Sequence, residues 1–443
     1  MTNHTEAASG QTDSILETLY GQDRVMITAS LKLANGHFLQ PTGFPDIDAC
    51  IYRDKEGRRW CLVESEQSMS NRLEAVCMKS PGIWVDDLKG LPLIVVRNNA
   101  GGLLATNLTE PHRIASSYIL DGKRAVNSDM RALFEGALGL RDGGDFWPLD
   151  KRADLEQLVF ALDPAALLHG FQFMQWKFVG LRQTRLIHAR LEAELADDPE
   201  VHYGMVKWDA IEPESTREER ANKGQSIAAK SRIVPKNITA TFEIDVLGLK
   251  SLSLEEDRKK FLLGLALWKM GAFLANKASF DPRSRSTGPS LRLRADCYLT
   301  CDASISWSGN SSTGTTTTTE LMGAKPTGLG QAEGPSFTPD TKGKNDGKEA
   351  EKSGVTFRAL VEKLLLDEKD EEATSEKSKG SKSSGKKGAA TEKESSAEEK
   401  KKSLYDGPLV EVTYEPKPKK EKQGGGKTQQ PDASAEQADE QHG

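Results

Sequence analysis

The residues of this chain that could do chemistry are cations set among turn residues, not clustered acids or histidines. Between Asn222 and Lys236 the sequence carries Lys223, Lys230, Arg232 and Lys236 with no acid, and Gly224, Ser226 and Pro235 suggest a protruding loop. Such a loop can track the phosphates of a single strand. Lys277, Arg283, Arg285, Arg292 and Arg294 flank a second proline- and glycine-containing stretch. There the alternation Leu291-Arg292-Leu293-Arg294 would put both arginines on one face of a strand. Asn71 and Arg72 lie in a polar segment, Glu64 to Glu74, that opens where a strand feeds a helix, so free amide hydrogens there suit a phosphate. Each has a plainer reading. Arg72 could be spent on a nearby glutamate, with Glu64 ordering it, and Arg292 and Arg294 could form a solvated strand face.

Catalysis has little support. His37, His112, His169, His188 and His202 are scattered, and no HExxH, GxSxG, glycine-rich phosphate loop or spaced carboxylate set occurs. His169 or His188 could still be a base or ligand brought together by folding. Asp46 and Asp48 form a close acidic couple on a loop, without a third partner for magnesium, and read as turn formers. The cysteines at 50, 61, 77, 297 and 301 form no CxxC pair, which points to reduced thiols and away from zinc. We expect no catalytic residue, no metal and no cofactor.

The elements that must position these cations can be read in part. Arg24 to Leu33 reads as a strand before the Asn35-Gly36 turn, and Trp60 to Val63 as a second strand running into a helix that Ser65 can cap. Ser68 stands where a capping box needs glutamate or glutamine. Leu91 to Val96 is a further strand whose Pro92 suggests an edge or entrance position. Asp154 to Leu162 and Pro164 to Leu168 look helical or turn-like, and Phe171 to Arg190 is ambiguous. Ile238 to Leu247 alternates as a strand. Ser253 and Glu256 give a capping-box signature to a helix through about Leu274 that is apolar around most of its circumference, and so buried against a sheet. The pattern predicts an α+β fold with helices on one face of an antiparallel sheet and the other face open for a ligand.

With 443 residues, 37% of them apolar and 28% charged, part of the chain forms no core. We expect a flexible N-terminus over 1–17 and the folded mass over 18–301. A low-complexity insertion at 302–354, a returning helix at 355–367 and a charged disordered insertion at 368–403 follow. An edge strand over 404–417 then docks back, leaving a tail at 418–443. A net charge of -6 argues against coating of duplex DNA, although local basic patches can hold a single strand. Met1 to Thr18 has no basic apolar signal stretch and no apolar run is long enough to span a membrane, so the expectation is a cytoplasmic protein with no membrane partner.

Four segments carry a family resemblance. Phe38-Leu39-Gln40-Pro41-Thr42-Gly43-Phe44-Pro45-Asp46, the run from Val63 to Glu74, Leu168-His169-Gly170 and Leu291-Arg292-Leu293-Arg294-Ala295-Asp296-Cys297 closely resemble the Cas-seven-like, RAMP-superfamily backbone subunit of type I-U, or type I-G, CRISPR effector complexes (Cascade). The resemblance runs from about Arg24 to Leu299. It implies a modified RRM-like (ferredoxin-like) palm with thumb-like insertions, for which the Asn222 to Lys236 loop is the candidate by composition. Copies would polymerise along CRISPR RNA beside other Cas effector subunits and leave its bases open to pair with a target DNA strand. The implied RNA-binding residues are Lys32, Gln40, Asn71, Arg72, Lys223, Lys230, Arg232, Lys236, Arg292 and Arg294. Reversing the charges of Arg72 and Arg292 together is then expected to weaken guide retention far more than folding. A metal-dependent ribonuclease of the same superfamily and an RNA-independent assembly protein are the competing readings.

Overall fold

In a computed structural model of the protein, the described residues are 16–42, 49–124, 130–139, 151–174, 176, 182–196, 207–209, 225–227, 232–281, 286–294, 297–310, 316–321 and 409–414. Period-2 patterning builds the main sheet. In β1 (Arg24–Leu33), Val25, Ile27, Ala29 and Leu31 are buried while Arg24, Met26, Ser30 and Lys32 are exposed. β1 pairs on one side with β8 (Pro235–Asp245) and on the other with β9 (Leu299–Asn310). With β2 (Ile51–Arg53), β3 (Arg59–Glu64), β7 (Ile187–Leu195) and β10 (Thr316–Leu321) they form seven strands in the order β10-β9-β1-β8-β7-β3-β2, every neighbour antiparallel. The chain is therefore α+β with an antiparallel sheet and several helices, as the pattern predicts.

Helix α4 (Glu256–Leu274) lies on the apolar face of the sheet. Every residue from Phe261 to Leu274 is buried, the Phe273 ring lies 6.3 Å from Phe242 of β8, and α4 also contacts α1 (Glu66–Ala75) and α3 (Pro164–His169). The expected capping box at Ser253 is absent. The Ser253 amide, which Glu256 would have taken, donates instead to Glu156 of α2 (Arg152–Leu162) at 2.6 Å, and the helix begins three residues later. Ser65 does cap α1, accepting the Ser68 amide at 3.3 Å. Among the described residues no helix is long and apolar enough to cross a membrane.

The sheet runs past the expected limit of the folded mass at 301. β9 continues to Asn310 and the threonine-rich segment Thr316–Leu321 pairs with it, because β-branched residues favour extended backbone whatever the complexity of the sequence. A second sheet has the order β5-β4-β11-β6, from β4 (Leu93–Arg97), β5 (Leu103–Thr106), β6 (Lys123–Arg124) and β11 (Leu409–Thr413). Pro92 stands at the entrance to β4, one residue before its first paired position, so β4 can lie between two partners although it lacks that amide. The strand expected at the edge over 404–417 is Leu409–Thr413 and lies between β4 and β6. The expected helix at 355–367 lies outside the described residues.

A polar group sits inside this core. Lys269 of α4 and His169 of α3 are fully buried with Nζ 3.0 Å from Nε2, and Arg113 pairs with buried Glu74 at 2.6 Å. Burial, then Lys269, holds the His169 imidazole well below its usual pKa, so it is neutral. Asp163 caps α3 through the Ala166 amide at 3.3 Å, and burial followed by the Glu74 charge pushes its pKa up to about 6. Because the folded value is raised, the contribution of Asp163 to stability is present below its unfolded value of 3.8 and lost as pH rises through about 6. Asp163→Asn keeps a capping oxygen and removes the charge. Its stability relative to wild type in urea unfolding is expected to be higher by on the order of 2 kcal/mol at pH 7.5 and to converge near pH 4. A difference that does not change with pH would contradict this.

Candidate nucleic-acid interface

The charges on the open sheet face are largely neutralised within it. Arg24 pairs with Glu243 at 3.0 Å and Arg190 with Glu192 at 2.7 Å. Cations converge instead at the end of the sheet where β1 exits and β8 enters. After β1 the chain turns through Gly36, whose φ of +74° favours glycine, and returns so that Leu39 and Ile233 exchange backbone hydrogen bonds of 3.0 Å each. Leu39 and Ile233 are fully buried, which anchors the pair and fixes their neighbours. Arg232 thereby sits over Phe38, guanidinium carbon 4.6 Å from the ring centroid, with Phe38 46% exposed. Gln40 follows on the same segment, half-buried, and Lys32 is exposed near the end of β1.

Lys236 extends this rim from the start of β8. Its ammonium lies 3.3 Å from Glu194, and Asn237 donates to the other oxygen of the same carboxylate at 2.9 Å. The Lys236 side chain keeps 54% of its surface exposed, so an incoming phosphate can share it with Glu194. Lys32, Gln40, Arg232 and Lys236, distant in sequence, thus meet at one end of the sheet. An exposed aromatic ring under a guanidinium, flanked by lysines, suits a base stacked on the ring and phosphates held by the cations. Phe38 is the residue that reasoning from charge misses. An aromatic between a strand's last lysine and a polar turn is the signal that marks it.

Arg72 and Arg294 belong to a different structure. Glu64, the last residue of β3, is fully buried and accepts from Arg72 Nη2 at 2.6 Å, Arg72 Nε at 3.1 Å, Arg294 Nη1 at 2.8 Å and the Ser68 hydroxyl. Arg72 also donates through Nη1 to the Arg292 carbonyl at 3.0 Å. Burial by itself would raise the Glu64 pKa, but Arg72 and Arg294, with Ser68, hold it below the usual carboxylate range. The carboxylate thus stands at the start of α1, the place expected to suit a phosphate. With its side chain 11% exposed, Arg72 is a structural ion-pair partner, the plainer of the two readings, and Arg294 shares that role at 27%. Asn71 is half-buried and accepts from Gln67 at 3.4 Å.

Leu291 to Arg294 is not a strand. Arg292 makes a single antiparallel bridge with Tyr298, framed by hydrogen bonds from the Leu299 amide to the Leu291 carbonyl at 3.0 Å and from the Leu293 amide to the Cys297 carbonyl at 2.6 Å, so the buried leucines give strand-like alternation on one bridge and not a longer ladder. Arg292 is exposed beside the Tyr298 ring at 6.0 Å, and the Tyr298 carbonyl accepts the Ala34 amide at 2.8 Å, which brings Arg292 to the end of β1 as well. Lys223 and Lys230 lie outside the described residues. Within their loop, Gln225–Ile227 pairs with Lys207–Asp209. Asp46, Asp48 and His202 also lie outside them. Among the described residues no group of three or more His, Cys, Asp or Glu is placed to hold a metal ion. His188 Nδ1 lies 3.3 Å from Glu66 and is partly exposed, whereas His169 is buried against Lys269, so the two histidines considered as a base have different partners.

Residues 25–198 match the model of the family described as CRISPR-associated protein GSU0053. The matched segment holds Lys32, Phe38, Gln40, Glu64, Asn71 and Arg72, whereas Arg232, Lys236, Arg292 and Arg294 lie beyond it. No curated protein matches the chain. Among solved structures it is similar to Thermofilum pendens Csc2, with 10% identity, coverage of 66% of this chain and 68% of that one, and a TM-score of 0.25. A structure described as a CRISPR RNA-guided surveillance complex, pre-nicking, gives 11% identity, coverage of 64% and 78%, and a TM-score of 0.29. Likenesses of that size carry no argument about this chain.

Proposed function

We propose that this chain is a non-catalytic RAMP-superfamily backbone subunit of a type I-U, or I-G, effector complex. Copies of it line up along CRISPR RNA, hold its backbone and present its bases to a target DNA strand. The observation that carries this reading is the rim of Lys32, Phe38, Gln40, Arg232 and Lys236, extended by Arg292, at one end of the sheet. Cations around an exposed aromatic bind a single strand through its phosphates and base faces, without choosing its sequence. Discrimination is then left to base pairing. The RRM-like reading is supported by the strand order β9-β1-β8-β7 and by α4 joining β8 to β9, as in a βαββαβ unit. Lys223 and Lys230 belong to the proposed thumb.

Co-expression with a CRISPR array and its partner subunits tests this. Size-exclusion chromatography with light scattering is expected to show a particle carrying intact guide RNA, with mass rising in subunit-sized steps as the spacer is lengthened. RNA-free monomer, or guide RNA cut by the purified chain, would overturn the scaffold reading.

A further inference from the structure

The C-terminal strand β11 is held by contacts that any copy of the chain could supply. It lies parallel to β4, with Arg97 opposite Thr413, and its Val412 is 1% exposed. A Cβ at Gly122 would stand 2.9 Å from the Val412 side chain, so the slot beside β6 is shaped for a bare backbone facing a β-branched residue. Glu411 pairs with Arg97 at 3.1 Å, the Tyr414 amide donates to the Arg97 carbonyl at 2.9 Å, and the Tyr414 ring meets Tyr118 edge-on at 4.8 Å. The other wall, β4, is buried from Leu93 to Val96. The strand is thus recognised by backbone pairing and three specific side chains.

Residues 322–408, 87 in number, separate β10 from β11. Fully extended, a segment of 87 residues reaches at most ~300 Å, several times the ~50 Å across a folded body of about 300 residues. The slot of an adjoining copy is therefore within reach of the strand, and exchange between copies preserves every interaction of the strand.

We propose that in the assembly the slot between β4 and β6 of one copy takes the strand Leu409–Thr413 of a second copy, tying neighbours together beyond their shared RNA. This rests on the reading that copies assemble. Two differently tagged full-length populations, one Arg97→Cys and the other Thr413→Cys, are co-assembled on guide RNA and oxidised, since paired strand positions can be bridged by a disulfide. A chain carrying both substitutions is the intramolecular control, and wild-type chains, with Cys50 exposed, give the background. The expected result is a disulfide-linked dimer of the two tags well above that background. An RNA-bound assembly with bonds forming only within the double variant overturns strand exchange and leaves the scaffold reading intact. Failure of the double variant to form its own bond overturns the strand pairing itself, and failure of wild-type copies to assemble overturns the scaffold reading and this inference with it.

Discussion

Glu64→Ala is expected to lower the stability of the chain by about 3–5 kcal/mol, the cost of leaving buried charges without their partner. The carboxylate is fully buried, and it is the group on which Arg72, Arg294 and Ser68 converge. Its loss leaves two guanidiniums facing each other where β3, the start of α1 and the 290–294 segment meet. The three single variants are expected to rank. Glu64→Ala loses most, Arg72→Ala less because Arg294 still neutralises the acid, and Arg294→Ala least, about 1 kcal/mol, because Arg72 keeps both its hydrogen bonds to the acid. Urea unfolding midpoints at pH 7 measure the order. Because the folded pKa of Glu64 is depressed, its stabilisation is present above the ordinary value of 4.5 and is lost as pH falls through the folded value. Three equal losses below ~1 kcal/mol would show that the cluster is not buried as described. The same geometry removes the force of reversing Arg72 and Arg292 together as a test of RNA binding, since Arg72→Glu would place a second carboxylate against Glu64.

What the sequence discloses here is local, and what it conceals is the pairing of distant segments. β1 is legible to the residue because its burial alternates through ten positions, and the end of α4 at Leu274 is legible because an apolar run of that length needs a helix buried all round. The start of α4 departs from the pattern because the acceptor for the Ser253 amide comes from Glu156, 97 positions away. Arg294 and Glu64 are 230 positions apart, so charge alone could not tell an ion pair from a phosphate contact. The Leu-Arg-Leu-Arg run shows how alternation can deceive, since a single isolated bridge with two buried leucines leaves the same pattern as a strand in a ladder. Lys269, between Trp268 and Met270 in an apolar helix, looks like a misplaced surface residue until His169 is found facing it. The rim was legible only as a set of separate cations. The bridge between Leu39 and Ile233 gathers most of them and brings in Phe38.

That bridge also sets the conditions for separating the two ways the rim can hold RNA. Arg232→Glu with Lys236→Glu is expected to lower affinity for a single-stranded guide by about tenfold or more at low salt. Removing two cations from the phosphates should reduce the slope of log affinity against log salt by roughly 1.4. Both side chains are exposed, and the cost to stability comes from Lys236→Glu, which sets a second carboxylate beside Glu194; the unfolding free energy is expected to fall by no more than about 1 kcal/mol. Phe38→Ala removes the ring under Arg232 and a platform for a base, and is expected to cost about 1–3 kcal/mol of binding with the salt slope unchanged. Arg24→Glu serves as the control, because Arg24 faces Glu243 on the open sheet face and lies at the opposite end of β1 from the rim. Fluorescence anisotropy of labelled guide RNA titrated at several salt concentrations distinguishes these outcomes. A slope that does not change when Arg232 and Lys236 are reversed would mean that neither touches a phosphate, and the guide would then have to be held by other residues of the chain. A loss in Phe38→Ala that carries a reduced slope would mean instead that the ring acts only by positioning Arg232, and the stacking role would fall.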